Sequence, residues 1–313
     1  MSPLICITGG AGFIGSAVAE RFIAANWEVA VIDDLSSGKR KNVPQKAKFF
    51  QQDVCDAETK NLIVQLQPEV ICHQAAQIDV RRSMYDPVHD CKINLCGLLN
   101  ILEGARLAKT VQHIVFASSG GAIYGDTEQI PTPESHPAYP VSNYGVAKAA
   151  SELYLGVYYT NYGISYTALR YANVYGPRQD PHGEAGVVAI FSDKLLANQP
   201  CIIYGDGRQT RDYVFVKDVA QANFLAVQKQ YLGAVNIGTG IETDVNELYA
   251  NLTEVAGVSL TTKYVDARVG EQRRSCIDTS LAARVLGWSS QVSLKTGLAK
   301  TYSWFKQKKT NIN

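Results

Sequence analysis

A short apolar run that empties into three glycines constrains this chain more than any other feature. Leu4-Ile-Cys-Ile7 has the continuous hydrophobicity of a strand buried on both faces. It leads into Thr8-Gly9-Gly10-Ala11-Gly12-Phe13-Ile14-Gly15, after which Ile14, Val18 and Phe22 recur at helical spacing. Glycines at 9, 12 and 15 permit a tight turn and let backbone approach a pyrophosphate, which rests on the helix N-terminus. A glycine triplet alone is weak evidence; a strand before it and a helix after it make it strong. The second strand, 28–32, ends at Asp33-Asp34, about 20 residues past the glycines. There a carboxylate accepts hydrogen bonds from adenosine ribose hydroxyls and repels a 2′-phosphate, so Asp33 predicts NAD rather than NADP. The plainer alternative is a turn or helix-capping aspartate. Leu35, Ser36, Ser37 and Gly38 form the loop beside the adenosine.

Strand and helix patterns then alternate. Strands are predicted over 48–51, 68–73, 113–117 and 165–170, with helices over 58–66, 94–108 and from Tyr144 to about Tyr162. Asp53-Val54 follows the third strand, and Gln74-Ala75-Ala76 the fourth, where two small residues let the chain pass close to a cofactor. This order predicts an α/β protein with a Rossmann-type doubly wound parallel sheet, right-handed crossovers and a ligand at the carboxyl ends of its strands. Turn residues cluster between Asn173 and Gly186, so the chain is expected to cross there into a smaller, mostly C-terminal lobe. The expected division is 1–172 plus about 211–240 for the dinucleotide domain, and about 173–210 plus 241–313 for the lobe. Asp244 and Glu247 have the spacing of a helix N-cap. Arg211, Arg268, Arg273 and Arg274 are a supply of guanidinium groups for a diphosphate, although each alone reads as a surface residue.

With 313 residues, 46% of them hydrophobic, the chain can bury a large core. A net charge of +1 gives no basic excess for nucleic acid or an anionic membrane. No apolar run approaches the roughly 20 residues that span a bilayer, and the first residues show no signal-peptide pattern. The seven cysteines are odd in number and lack a C-x-x-C pair, so they are expected to be reduced thiols in the cytoplasm. Five histidines without ligand spacing predict no metal site.

The chemistry is expected between Ile114 and Lys148. Tyr144 and Lys148 are four residues apart on one helix face, and an ammonium there favours the phenolate. That predicts a Tyr144 pKa drawn down from about 10 toward neutrality, suited to a general base and acid. Small hydroxyl residues about 25 positions earlier, Ser118 and Ser119, could hydrogen-bond the same reacting oxygen. Tyr-x-x-x-Lys alone says little in a chain with 17 tyrosines; its context carries the argument.

These residues together resemble the extended short-chain dehydrogenase/reductase family, and within it the nucleotide-sugar 4-epimerases of the UDP-galactose 4-epimerase type. The resemblance covers nearly the whole chain. It rests on Thr8–Gly15, Asp33–Gly38, His73–Gln77, Ser118–Gly125, Tyr144 with Lys148, Leu169–Arg178 and Arg211–Val216. It implies that Gly9, Gly12, Phe13, Ile14, Gly15, Asp33, Asp34, Leu35, Ser36, Ser37, Gly38, Asp53 and Val54 hold NAD. Gln74, Ala75, Ala76, Gln77, Ile78, Asn94, Ser118, Tyr144, Lys148, Tyr171 and Ala172 complete that shell. It implies that Ser119, Gly120, Asn173, Gly186, Val187, Val188, Arg211, Arg268, Glu271 and Ser275 border a UDP-sugar, with Ile202, Ile203 and Tyr204 near the base. A homodimer through the Tyr144 helix is also a family expectation. The family usually places Ser or Thr four residues before the tyrosine that is here Tyr124, yet that position is Gly120. Ser119, Ser118 or a water replaces the missing hydroxyl, or the protein is slow or silent; the intact Tyr144, Lys148 and cofactor residues favour catalysis. Gly121-Ala122 stands where 4,6-dehydratases carry Asp-Glu, and the Glu usual there in UDP-glucuronate decarboxylases is also missing. Ser275 borders the sugar in such enzymes, and its small size leaves room for a 2-acetamido group.

Overall fold

The structure, a computed structural model, describes residues 2–182, 186–258, 260–267 and 272–310. Its centre is one parallel sheet. The first six strands are β1 (Leu4–Thr8), β2 (Glu28–Ile32), β3 (Lys48–Phe50), β4 (Val70–His73), β5 (His113–Ser119) and β6 (Ser165–Tyr171). A seventh, Gly233–Ile237, completes it beside β6, and the spatial order is β3-β2-β1-β4-β5-β6 and then that last strand. All pairings are parallel. The order reverses direction between β1 and β4, so the loops leaving these strands part and open a crevice at their carboxyl ends.

Helices cover both faces, which is why the strands read as unbroken apolar runs. Successive side chains of β1 divide between the faces. Ile5 and Ile7 join Phe22, Val31 and Val219 in one core, beneath the Phe13–Ala24 and Val216–Lys229 helices. Cys6 joins Ile63, Ile71, Leu98, Phe116 and Leu155 in the other, beneath the Ala57–Leu66, Gly97–Ala108 and Asn143–Tyr162 helices. A third core of Tyr175, Phe191, Cys201, Ile203, Phe215, Leu248 and Leu298 gathers residues beyond β6. Three two-stranded ribbons accompany it: Asn173–Tyr175 with Tyr213–Phe215, Ile202–Tyr204 with Lys263–Val265, and Thr210–Arg211 with Thr243–Asp244. Asp244 caps the Val245–Ala256 helix, accepting the Glu247 N–H at 2.7 Å.

One predicted boundary fails for an instructive reason. The helix expected from Asn94 begins at Gly97 and is preceded by a short Pro87–Cys91 helix and a π-turn over Lys92–Cys96. The wider turn faces Asn94 inward, where its amide exchanges hydrogen bonds of 3.0 and 2.9 Å with the backbone of Gln77. Such turns often occur where function needs a side chain re-aimed. β5 also runs two residues past its predicted end, and carries Ser118 and Ser119 in the sheet.

Candidate active site

The glycine loop lies at the mouth of the crevice and is built by omission. Gly9 has a left-handed φ of 68°, and a Cβ there would sit 2.6 Å from the amide nitrogen of Ala75. A Cβ on Gly15 would sit 2.2 Å from the Gly9 carbonyl oxygen. Loop, helix and the segment after β4 therefore close to a distance no side chain allows. No side chain caps the Phe13–Ala24 helix, whose N-cap is Gly12, so its first amides are left to a ligand. Asp33 is buried, with its carboxylate receiving the N–H groups of Ala11 and Leu35 at 2.9 Å each. Burial raises its pKa, and those two donors pull it back. Asp34 stays at the surface and closes a turn onto Ser36. Asp53 is held by the Cys55 N–H at 2.8 Å, and Val54 is buried. These features fit a dinucleotide: an uncapped helix start, a close-approach loop and a fixed carboxylate at the end of the second strand.

The segment after β4 is fixed from below. Gln77 binds Asp90 at 2.8 Å, and Asn94 holds the Gln77 backbone. Gln74, Tyr171 and Asn223 form a hydrogen-bonded cluster behind the loop. Tyr171 and Asn94 were expected to border the cofactor. Instead both side chains are buried and spent on protein partners, so they shape the loop rather than project from it.

Tyr144 enters at the start of the Asn143–Tyr162 helix. Ser142 caps that helix through Gly145 N–H at 3.1 Å, and Ser83 Oγ accepts the Tyr144 N–H at 3.1 Å. One turn on, Lys148 is buried; its Nζ donates to the Ala117 carbonyl at 2.8 Å and lies 5.7 Å from the Tyr144 ring centroid. In the protein alone, burial works against the shift expected from the Tyr144–Lys148 spacing. Burial pushes Tyr144 up to about 12, partly offset by a hydrogen bond from Ser119, while the charge of Asp90 adds to the rise. Burial brings Lys148 down to about 8, with Asp90 and Glu152 opposing that fall. In the protein alone, desolvation of the phenol outweighs the ammonium one turn away.

The two serines separate. Ser119 carries the hydroxyl that meets Tyr144. Ser118 is turned away; its Oγ donates to Glu152 at 2.6 Å, beside a largely buried Glu152–Arg170 ion pair of 2.6 Å. Its hydroxyl is thus engaged by this ion pair.

Comparison with known proteins is decisive at this point. The NAD dependent epimerase/dehydratase family model matches residues 5–238. The chain belongs to that family. It is 44% identical to the UDP-glucose 4-epimerase of Mycolicibacterium smegmatis, over 96% of this chain and 98% of that one. Among solved structures it is similar to the Thermotoga maritima UDP-glucose 4-epimerase determined with UDP-glucose, at 45% identity and a TM-score of 0.95, covering 97% and 99% of the two chains. It is also similar to the Thermus thermophilus UDP-glucose 4-epimerase in complex with NAD, at 43% identity and a TM-score of 0.92, again covering 97% and 99%.

The epimerase fold also explains the missing hydroxyl at position 120. A Cβ on Gly120 would stand 2.9 Å from Ile277 Cδ1 and 3.3 Å from the Arg170 carbonyl. A serine there would need the tip of Ile277 to give way, and the hydroxyl that acts on Tyr144 is that of the preceding residue, Ser119. Gly121 has the opposite surroundings: a Cβ there would meet only Asn173 Oδ1 and Ser275 Oγ, each at 4.0 Å. The side-chain oxygens of Asn173 and of the buried Ser275 thus both lie within van der Waals reach of position 121.

The remaining predicted residues divide. Ile202 is exposed and Tyr204 half-buried, whereas Ile203, between them on the strand, points into the third core. Val188 is likewise core, one residue inside a helix that starts at Val187 after Gly186. Neither Ile203 nor Val188 can face a substrate with its side chain. Arg273 forms a two-pronged pair with Asp206 at 2.9 Å, and Arg274 pairs with Glu242, so both are spent at the surface. Arg211 lies half-buried on the Thr210–Arg211 strand. Arg268 and Glu271 lie outside the described residues. Sequence reasoning missed Asp90 and Glu152. Glu152 follows Lys148 by one helical turn and could have been found by that spacing; Asp90 belongs to no motif.

Proposed function

We propose that this chain is an NAD-dependent UDP-hexose 4-epimerase, acting on UDP-glucose and UDP-galactose and on their 2-acetamido counterparts. The observation that carries the reading is the meeting of Ser119 and Tyr144 above Lys148, beside an intact dinucleotide loop. NAD, when bound, takes the hydride from carbon 4 and gives it back. Tyr144 Oη takes the proton of the 4-hydroxyl and later returns it, while Ser119 donates a hydrogen bond to the same oxygen. Lys148 holds positive charge beside the phenol and lowers the cost of its phenolate. Asp33 receives the adenosine ribose hydroxyls, and Arg211, with Arg268 and Glu271, holds the diphosphate. A substrate held by its diphosphate can turn its 4-keto ring and take the hydride on the other face. Small surroundings at Gly121 and Ser275 support acceptance of an acetamido group.

The same reading divides the chain into a dinucleotide part, 1–172 with about 211–240, and a sugar-nucleotide lobe. It also pairs two copies through the Asn143–Tyr162 helix, whose Leu153, Tyr154 and Val157 are exposed. Seven free thiols support the cytoplasm as its compartment. Among the described residues no helix is long and apolar enough to cross a membrane.

The test is a product assay with UDP-galactose, UDP-N-acetylgalactosamine and UDP-galacturonate. We expect the 4-epimers of the first two without net NADH. Conversion of none, by protein that still holds NAD, would overturn the reading.

A further inference from the structure

Asp90 has no part in the mechanism above, yet its placement is costly. It lies on the Pro87–Cys91 helix and is 1% exposed. Its Oδ1 accepts Gln77 Nε2 at 2.8 Å and Asn94 Nδ2 at 2.9 Å. Its Oδ2 is buried and has no hydrogen-bond partner among the described residues. A buried carboxylate oxygen left bare is unfavourable unless a nearby charge compensates it. The Pro87–Cys91 helix packs on the Asn143–Tyr162 helix, which carries Tyr144 and Lys148.

The local charges point to the compensation. Lys148 is buried with one donor on Ala117, and the carboxylates acting on it are Asp90 and Glu152. Glu152 is already bound by Arg170 and Ser118. Arg170 and Glu152 cancel, which leaves Asp90, on the helix packed against that of Lys148, as the carboxylate whose charge acts on it. We propose that Asp90 is the buried counter-charge of the Tyr144–Lys148 pair, a positioning residue that sets the proton affinity of both without touching the substrate. The proposal rests on the reading of Tyr144 and Lys148 as the reacting pair.

Other groups in this neighbourhood do not take over that role. On Asp90's own helix, His89 adds a smaller attraction, and the thiol of Cys91 is neutral, its pKa raised by burial. His73 on β4 is kept uncharged by burial and by Lys148 itself. Ser119 acts on Tyr144 through a hydrogen bond and carries no charge. Asp90 therefore has two opposed effects: it keeps the proton on Lys148, and it resists the phenolate on Tyr144. Deleting its charge lowers the proton affinity of both groups. Because Tyr144 and Lys148 titrate as a coupled pair, both limbs of the pH–rate profile should move the same way.

The experiment compares the pH dependence of kcat for the NAD-loaded wild type, Asp90→Asn and Tyr144→Phe, with UDP-galactose as substrate. In Asp90→Asn both limbs are expected to shift toward acid by about one pH unit. A lower kcat with both limbs in place would show a merely structural role and overturn the proposal, as would an unchanged profile. Should Asp90→Asn fail to fold, Asp90→Thr deletes the same charge and is read by the same criterion. Tyr144→Phe separates the two layers. If it keeps its turnover, the reacting pair itself is misassigned; if it loses turnover while the Asp90→Asn limbs stand still, only the role of Asp90 fails.

Discussion

The dinucleotide loop between Thr8 and Gly15 is made almost wholly of backbone, whereas the residues proposed to hold the sugar nucleotide, from Asn173 to Ser275, are side chains from several distant segments. The first works because side chains are absent at Gly9 and Gly15. The second works because particular side chains are present. Not every guanidinium nearby is available to it: Arg273 is held by Asp206 through two hydrogen bonds. A site built by omission tolerates nothing extra, and a site built by selection can be tuned one residue at a time.

Gly15→Val tests the first half of that contrast and should have the largest effect. Its Cβ would collide with the Gly9 carbonyl, so the purified variant is expected to hold no NAD and to show no turnover. NAD released on denaturation, measured by absorbance, reads this directly. A variant that kept its NAD would break the distinction between the two regions.

Next in size is the pair of neighbouring serines. Ser119→Ala should lose about 10²–10³ in kcat, as for one positioned donor. Ser118→Ala should keep most of its kcat and instead lose about 0.5–1.5 kcal/mol of stability, because Glu152 Oε1 keeps the Arg170 Nε donor and loses only the hydroxyl. Similar kinetics in the two variants would mean that the face each serine takes on β5 is irrelevant.

The second region itself is tested by Ser275→Tyr. It should lower kcat/KM for UDP-N-acetylgalactosamine by about 10–200-fold relative to UDP-galactose, the range a hydrophobic size mismatch supplies. Equal losses on the two sugars would remove Ser275 from the acetamido side.

The sheet beneath both regions is tested through pH rather than substrate. Burial lowers His73 to about 3 and His113 to about 4. Unfolded, each titrates near 6.5. Between pH 6.5 and 4 the unfolded chain therefore binds protons that the folded chain refuses. Stability is then full above pH 6.5 and falls with pH by about 1.4 kcal/mol per unit for each histidine. Denaturant midpoints at pH 7 and pH 5 should show the loss, and His113→Gln should remove about half of it.

The contrast also decides what could be read from the sequence. Alternating patterns, the glycines and Asp33 give the parallel sheet and its crevice, since those depend on local periodicity and backbone space. The pairing of Ser118 with Glu152, and of Ser119 with Tyr144, depends on which way β5 faces at its end. A two-residue extension of the strand decides that, and strand ends are poorly encoded. Gly120 looks like a defect until Ile277, far along the chain, is seen to fill the space. For Tyr144 the helical spacing to Lys148 is visible in sequence, and the burial that opposes its effect in the protein alone is not. Ile203 and Val188 were misplaced for a similar reason: a resemblance names a segment, and alternation within it chooses the face.

The position of the last sheet strand has a consequence for synthesis. Gly233–Ile237 lies against β6, although residues 172–232 separate the two in sequence. On a ribosome the edge of β6 emerges first and waits roughly 3–12 s, at ~5–20 residues per second, for its neighbour. An unpaired strand edge is a template for wrong partners during that delay. Stalled chains ending near residue 200 should accordingly be cut by protease along β6, and chains extended past residue 270 should resist; equal resistance would show that the edge is covered some other way.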